Sequence, residues 1–116
     1  KEIITYEIRH PEDVIPTLNR KAFPSTFGFP DLILLDLQMP KMHGLDLLKL
    51  LKKDRVCAHI PVVVLSDTMN RQEMSQVYEN AAAGYICRPF SIQEYKEKLI
   101  KTVDYWVDAV SLPRAG

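Results

Sequence analysis

Three polar residues stand where short apolar runs of the sequence end. Asp36 closes one run, Ser66 closes the next, and Arg88 follows the last. Together they suit phosphoryl transfer to a carboxylate, in which Asp36 attacks, Ser66 donates to a phosphoryl oxygen and Arg88 offsets the charge. A structural interpretation competes with this one: Asp36 bonds its own loop backbone, Ser66 is a turn residue and Arg88 is solvated. The pattern by itself leaves both interpretations open.

The elements that must position these residues alternate along the chain. β-Branched and apolar runs predict strands, and apolar residues at steps of three and four behind capping residues predict helices. The predicted order is strand Glu2–Ile8, helix Glu12–Phe23 with Pro16 kinking it or delaying its start, strand Leu32–Leu35, helix Leu45–Lys53, strand Ile60–Ser66, a helix capped by Asn70-x-x-Glu73, strand Gly84–Cys87 and a long helix capped by Ser91-x-x-Glu94. This alternation predicts a parallel sheet with helices on both faces, whose site lies at the carboxyl ends of the strands.

The composition narrows the class of protein. The 116 residues suit one domain, 1–116, and the 15 basic and 15 acidic residues cancel, so we expect neither a nucleic-acid nor a membrane footprint. No run approaches the roughly 18 apolar residues of a membrane span. Cys57 and Cys87 lack metal spacing, which favours reduced thiols in a cytoplasmic protein. His10, His43 and His59 are interpreted as structural residues, and no Zn²⁺ site is expected.

The last predicted helix carries an apolar stripe at helical spacing, which indicates a face that packs inward. The stripe consists of Ile92, Tyr95, Leu99, Val103, Trp106 and Val110. Several apolar residues crowd the C-terminal end of this helix. Those not needed for the inward stripe could form the face of a homodimer. They are Tyr105, Val107, Val110 and Leu112.

Three segments together carry a resemblance to a known family. They read PDLILLDLQMPKMHGLDLLKLLKKD, HIPVVVLS and GYICRPF, in that order. They closely resemble the receiver domain of two-component response regulators, over about Ile3 to Pro113. With the long last helix that includes YWVDAVSLP, the chain is most similar to single-domain regulators paired with phytochrome-like histidine kinases. The resemblance implies a flavodoxin-like, doubly wound parallel sheet of five strands in the order 2-1-3-4-5.

The resemblance also implies roles for individual residues. Asp36 matches the phosphoacceptor, Ser66 the switch hydroxyl and Tyr85 the aromatic residue whose rotamer follows it. Gln38 falls where a backbone carbonyl binds Mg²⁺. Arg88 stands in place of the family lysine, and the peptide bond to Pro89 is cis in the family. An arginine keeps the charge, but its planar fork differs from a point donor.

One part of the family pattern is not found in these 116 residues. Receivers begin with a strand that ends in a pair of acids, and those acids hold Mg²⁺. Here Glu2–Ile8 aligns best with the second strand of the family, so the first strand, the first helix and the acid pair are expected to be missing. A competing alignment makes Glu2–Ile8 the first strand and leaves Glu12 and Asp13 as poor acid candidates. We therefore expect weak or absent Mg²⁺ binding and poor phosphorylation.

The sequence allows three candidate functions. The leading one is a receiver that accepts a phosphoryl group on Asp36 from a sensor histidine kinase or a phosphotransfer protein. Such a domain is a switch rather than an enzyme, with only self-phosphorylation and autodephosphorylation. The alternative is a pseudo-receiver that is never phosphorylated and acts as a protein-interaction module. An aspartyl phosphatase is disfavoured because Gln38 stands where a second acid is required.

Overall fold

Strands and helices alternate through the part of the chain that the structure, a computed structural model, describes: residues 7–18, 30–38, 43–88 and 91–111. A 3₁₀ turn, Pro11–Asp13, leads into α1, Val14–Leu18. The remaining elements are β1 (Ile33–Asp36), α2 (Gly44–Lys53), β2 (Val62–Ser66), α3 (Arg71–Glu79), β3 (Gly84–Cys87) and α4 (Ile92–Asp104), which continues as a π-helical turn, Tyr105–Ala109. None of the described helices combines the length and the apolar composition needed to cross a bilayer.

The described strands form one parallel sheet in the order β1-β2-β3. Every residue of the central strand β2 is buried. This agrees with its uninterrupted apolar sequence, since such runs are typical of strands covered on both faces. The predicted parallel sheet is confirmed; the bounds of the last strand are as predicted, and those of the other two differ by at most two residues.

The core lies between the sheet and α2. Leu47, Leu48 and Leu51 of α2 are at most 2% exposed, as are Val62 and Val64 of β2. Burying a side chain of this size contributes about 1.5–3 kcal/mol relative to leaving it in water. The broad leucine face of α2 therefore fixes this helix over the strands whose ends carry Asp36 and Ser66.

Side chains satisfy the free backbone groups at the helix starts. His43 Nδ1 accepts from the Leu45 amide at 3.2 Å, at the start of α2. Asn70 Oδ1 accepts from the Glu73 amide at 3.0 Å, and Ser91 Oγ accepts from the Glu94 amide at 3.3 Å. The caps predicted at Asn70 and Ser91 are confirmed. His43 takes the structural role expected of it.

The first predicted elements are only partly visible. Most of the predicted strand Glu2–Ile8, and the predicted helix beyond Leu18, lie outside the described residues. Of the two effects considered for Pro16, the late start is the one observed, because the α-helix begins at Val14. Pro16 is thus in the first turn, where a missing N–H costs no helical hydrogen bond.

The inward stripe predicted for the last helix is only half realised. No residue of α4 is buried, and Ile92 is 75% exposed. The rest of the stripe, including Trp106, is half-buried. The reason is positional: α4 follows β3, which forms an edge of the described sheet, so one side of the helix stays open. Leu112 of the proposed dimer face lies outside the described residues.

The two cysteines should differ sharply towards thiol reagents. Cys57 is fully buried, and burial raises the pKa of its thiol to about 12, with the Asp54 carboxylate adding to the shift. Cys87 is half-buried. Because the thiolate is the reactive form, iodoacetamide at roughly pH 8 should modify Cys87 in the native protein and Cys57 only after unfolding. Peptide mass spectrometry with and without urea measures this; equal native rates would contradict it.

Candidate functional site

The carboxyl ends of the three strands meet at one edge of the sheet. Asp36 lies opposite Leu65 in the register, and Ser66 lies opposite Cys87. The ladder continues one residue past the last strand, since the Arg88 amide donates to the Ser66 carbonyl at 2.8 Å. The backbone therefore places the three residues that the sequence singled out at the same edge.

The carboxylate of Asp36 has two distinct contacts. Its Oδ1 accepts from the Gln38 amide at 2.8 Å, and its Oδ2 accepts from Nη2 of Arg88. The Asp36 side chain is 35% exposed and that of Arg88 is 34% exposed. The loop contact expected in the structural interpretation is present, but Arg88 is not simply solvated. Asp36 is an oriented carboxylate that water and a ligand can still reach.

Arg88 is held between several groups. Its Nη1 donates to Asp67 Oδ1 at 2.9 Å, and its guanidinium lies 5.6 Å from the ring centroid of Tyr95. Burial by itself lowers the pKa of Arg88, but hydrogen bonds and the charge of Asp36 outweigh burial, so its pKa is raised. Nε is buried and has no hydrogen-bond partner among the described residues. Arg88 thus stays protonated and bridges two carboxylates.

Ser66 belongs to a second group of side chains. Its buried hydroxyl lies 2.6 Å from Glu73 Oε1 and 3.1 Å from the Thr68 carbonyl oxygen. The Tyr85 hydroxyl lies 2.7 Å from the same Glu73 oxygen and 2.8 Å from the same carbonyl. Within the described ranges, Ser66 makes no hydrogen bond to Asp36. The predicted trio is therefore divided: Asp36 and Arg88 pair directly, while Ser66 bonds elsewhere.

Tyr85 is a hydrogen-bond donor at this site under ordinary conditions. Burial raises the pKa of its phenol, the nearby Ser66 hydroxyl works in the opposite direction, and the bond and charge of Glu73 raise the pKa further. The phenol therefore keeps its proton well into the alkaline range. The two hydroxyls and the Glu73 carboxylate form a connected polar cluster beside the phosphoacceptor candidate.

Sequence reasoning missed four residues of the site. Asp67 follows Ser66 directly, so its place at the strand edge was available as a signal. Glu73 was seen only as part of a helix cap, and nothing in the sequence marks Tyr95 as a neighbour of Arg88. Gly44 is needed because a Cβ there would lie 2.6 Å from Leu37 Cα and 3.0 Å from the Asp36 carbonyl oxygen. Only tertiary proximity reveals the last three.

The described residues offer an incomplete set of ligands for a divalent cation. Mg²⁺ takes oxygen ligands in near-octahedral geometry. Here both oxygens of the Asp36 carboxylate already accept hydrogen bonds. No group of three or more acidic, histidine or cysteine side chains is placed to hold a metal in the described ranges. The described residues therefore do not by themselves fit a tightly held metal ion. Pro89 lies outside the described residues, so its cis bond stays a prediction.

Comparison with known proteins agrees with this geometry. The chain matches the family described as "Response regulator receiver domain" over residues 4–100. The "Probable methanogenesis regulatory protein FilR2" of Methanothrix harundinacea (strain 6Ac) is 31% identical over 80 residues, which are 69% of this chain and 52% of FilR2. The chain spans about half the length of the curated relatives it matches.

Solved structures resemble most of the chain. The phosphorylated cyanobacterial phytochrome response regulator RcpA has a TM-score of 0.82 at 28% identity, covering 91% of this chain and 76% of RcpA. The Mn²⁺-bound form of the response regulator Rcp1 has a TM-score of 0.79 at 26% identity, with coverage of 91% and 76%. Since the family match spans most of the sequence and the parallel sheet agrees with it, this chain belongs to the response regulator receiver domains of two-component signalling and has their flavodoxin-like fold.

Proposed function

We propose that this chain is a phosphorylation-controlled switch in which Asp36 accepts a phosphoryl group from a sensor histidine kinase or a phosphotransfer protein. The observation that carries the proposal is the state of Asp36: a partly exposed carboxylate at the sheet edge, held by one amide and paired with Arg88. An oriented nucleophile beside a fixed cation is what transfer to a carboxylate requires.

The chemical step needs one bond to form and one to break. An oxygen of Asp36 attacks the phosphorus, the bond between phosphorus and the donor histidine nitrogen breaks, and the electron pair returns to the imidazole. The product is an aspartyl phosphate. Arg88 then turns its fork from the carboxylate to the phosphoryl oxygens, a geometry that suits a planar guanidinium. The amide of Gln38 holds the other carboxylate oxygen throughout.

The kinase and the metal ion of this switch are proposed by comparison with other receivers. RcpA is a phytochrome response regulator that was crystallised phosphorylated. We propose that a phytochrome-like histidine kinase likewise phosphorylates this chain. A divalent cation of the kind bound by Rcp1 would rely here on Asp36, the Gln38 carbonyl and the oxygens of the phosphodonor, with low affinity. We place residues 1–116 in one cytoplasmic domain, without nucleic-acid or membrane partners and without turnover of a separate substrate.

The test is labelling with a small phosphodonor. The protein is incubated with acetyl phosphate and Mg²⁺, and peptide mass spectrometry locates the added phosphoryl group. We expect slow labelling at Asp36, because the described metal ligands are incomplete. Fast, stoichiometric labelling would contradict the expectation of weak metal binding, and no labelling with either acetyl phosphate or a kinase would contradict the proposed function.

A second candidate is favoured by the ion pair itself. In a pseudo-receiver that only binds partners, Arg88 would occupy the Asp36 carboxylate permanently. The two candidates differ in what Asp36→Ala does in the cell. Loss of the signalling output supports the phosphorylated switch, whereas an unchanged output supports the interaction module.

Replacing Arg88 with alanine is expected to slow labelling of Asp36 about 100-fold. Two effects oppose each other. Losing the ion pair frees the carboxylate, but a pair this exposed is worth at most about 1 kcal/mol. Losing a donor that offsets transition-state charge costs roughly 10²–10³ in rate. This second effect is the larger one, so labelling should be slower. Acetyl phosphate labelling rates measure this.

Two matched variants complete the Arg88 comparison. Arg88→Lys keeps the charge without the fork and should recover part of the rate. Arg55→Ala removes an exposed arginine beyond α2 and should label like the wild type. Faster labelling in Arg88→Ala would mean that the ion pair restrains Asp36 more than it assists transfer.

A further inference from the structure

We propose that Glu73 is a positioning residue that ties the hydroxyls of Ser66 and Tyr85 to one carboxylate oxygen and competes with a phosphoryl group for Ser66. The competition rests on the proposed function of Asp36, whereas the tie between the two hydroxyls does not. Glu73 matches none of the residues to which the resemblance gives a role.

The geometry of the cluster leaves few choices for the protons. Each hydroxyl has one proton to donate, and each lies within 3.1 Å of the same two acceptors, Glu73 Oε1 and the Thr68 carbonyl oxygen. Ser66 is fully buried, so water cannot replace a lost partner. Bonds to a carboxylate are about twice as strong as bonds between neutral groups. Glu73 is therefore the dominant partner of the pair.

A helix-cap role does not account for this arrangement. In a capping box, the Glu73 carboxylate would reach back to the amide of Asn70. The structure instead shows Asn70 capping the helix through its own side chain, while Glu73 Oε1 faces Ser66 and Tyr85. The Glu73 side chain thus crosses from α3 to Ser66 at the end of β2 and to Tyr85 within β3, and joins the two strands.

The shared oxygen makes the two hydroxyls dependent on each other. If Ser66 rotates to donate to a phosphoryl oxygen on Asp36, it must leave Glu73, and the oxygen it vacates is then available to Tyr85 alone. Glu73 therefore opposes the first movement and holds the Tyr85 hydroxyl more strongly once that movement has occurred. Removing Glu73 should make the phosphorylated arrangement easier to reach.

The first experiment needs no phosphoryl chemistry. The full chain is labelled with ¹³C at the tyrosine ζ-carbons, and the Tyr85 signal is assigned with Tyr85→Phe. Glu73→Ala should shift this signal, and Glu73→Gln, which keeps an acceptor oxygen without the charge, should shift it less. Glu79→Gln removes an exposed acid from the same helix and should leave it unchanged. If the Tyr85 signal stays at its wild-type position in both Glu73 variants, Glu73 does not hold the Tyr85 hydroxyl and the proposal is wrong.

The second experiment measures competition for Ser66. Beryllofluoride with Mg²⁺ serves as the phosphoryl mimic, and its affinity is measured for the same folded variants, checked by circular dichroism. Glu73→Ala should bind about tenfold more tightly than the wild type, and Glu73→Gln should fall between them. An equal gain in affinity in both variants would mean that only the charge of Glu73 matters. Glu73 would then not compete with the phosphoryl group for Ser66. If even the wild type binds no beryllofluoride, the proposed function fails, while the tyrosine signal still decides the role of Glu73.

Discussion

Asp36→Asn is expected to abolish phosphoryl labelling of this chain. Asparagine has nearly the same shape and keeps an oxygen that can accept from the Gln38 amide, a bond of 2.8 Å in the wild type. Its amide has no nucleophilic carboxylate oxygen, so an acyl phosphate cannot form. Intact-mass measurement after incubation with acetyl phosphate and Mg²⁺ should show no added phosphoryl group.

The control for this variant is Asp46→Asn, which removes an exposed acid in the first turn of α2. It should label at the wild-type rate. Both variants should unfold at nearly the wild-type urea concentration, because the Asp36–Arg88 pair is a third exposed and contributes at most about 1 kcal/mol. Persistent labelling of Asp36→Asn would show that another acid accepts the group, and Asp67, which shares Arg88, would be the first to examine.

Gly44→Ala is expected to lower the free energy of unfolding by about 3 kcal/mol. A Cβ at this position would lie 2.6 Å from Leu37 Cα and 2.9 Å from Leu37 Cδ2. The Cα cannot move without moving the backbone that follows Asp36. The start of α2 must therefore shift away from the sheet edge, and phosphoryl labelling should fall together with stability. Urea unfolding followed by circular dichroism measures the first effect.

Gly84→Ala is the matched control. A Cβ at Gly84 would meet the nearest atoms, both on Val63, at 3.5 Å, which is ordinary van der Waals contact. The backbone there does not need the left-handed region, so alanine should change stability by at most about 1 kcal/mol. Equal stability losses in the two variants would mean that the helix start yields readily, and the close approach at Gly44 would not matter.

The local sequence predicted much of the candidate site because parallel strands share one edge. Once Asp36 and Ser66 were placed at strand ends and Arg88 after the last strand, a common edge followed from the alternation of elements. The caps at Asn70 and Ser91 were predictable for a similar reason, since a cap is formed within four consecutive residues.

Contacts between distant elements could not be predicted in this way. Glu73 carries the signature of a cap, yet its carboxylate lies on Ser66 and Tyr85, which belong to two other elements. The last helix shows a regular apolar stripe, yet Ile92 is 75% exposed. Periodicity marks a face as apolar, but only the packing partner determines whether that face is buried.

The sequence by itself determined the strand–helix alternation, the edge at which Asp36, Ser66 and Arg88 gather, and the resemblance that the family match confirms. These features depend on local patterns and on the shared direction of parallel strands. Only the tertiary structure decided that Arg88 pairs with Asp36 while Ser66 bonds to Glu73. That division depends on side-chain rotamers and on the approach of α3 and α4 to the sheet. The first of these contacts joins residues 52 positions apart and the second joins a strand to the helix that follows it, and no local pattern encodes either.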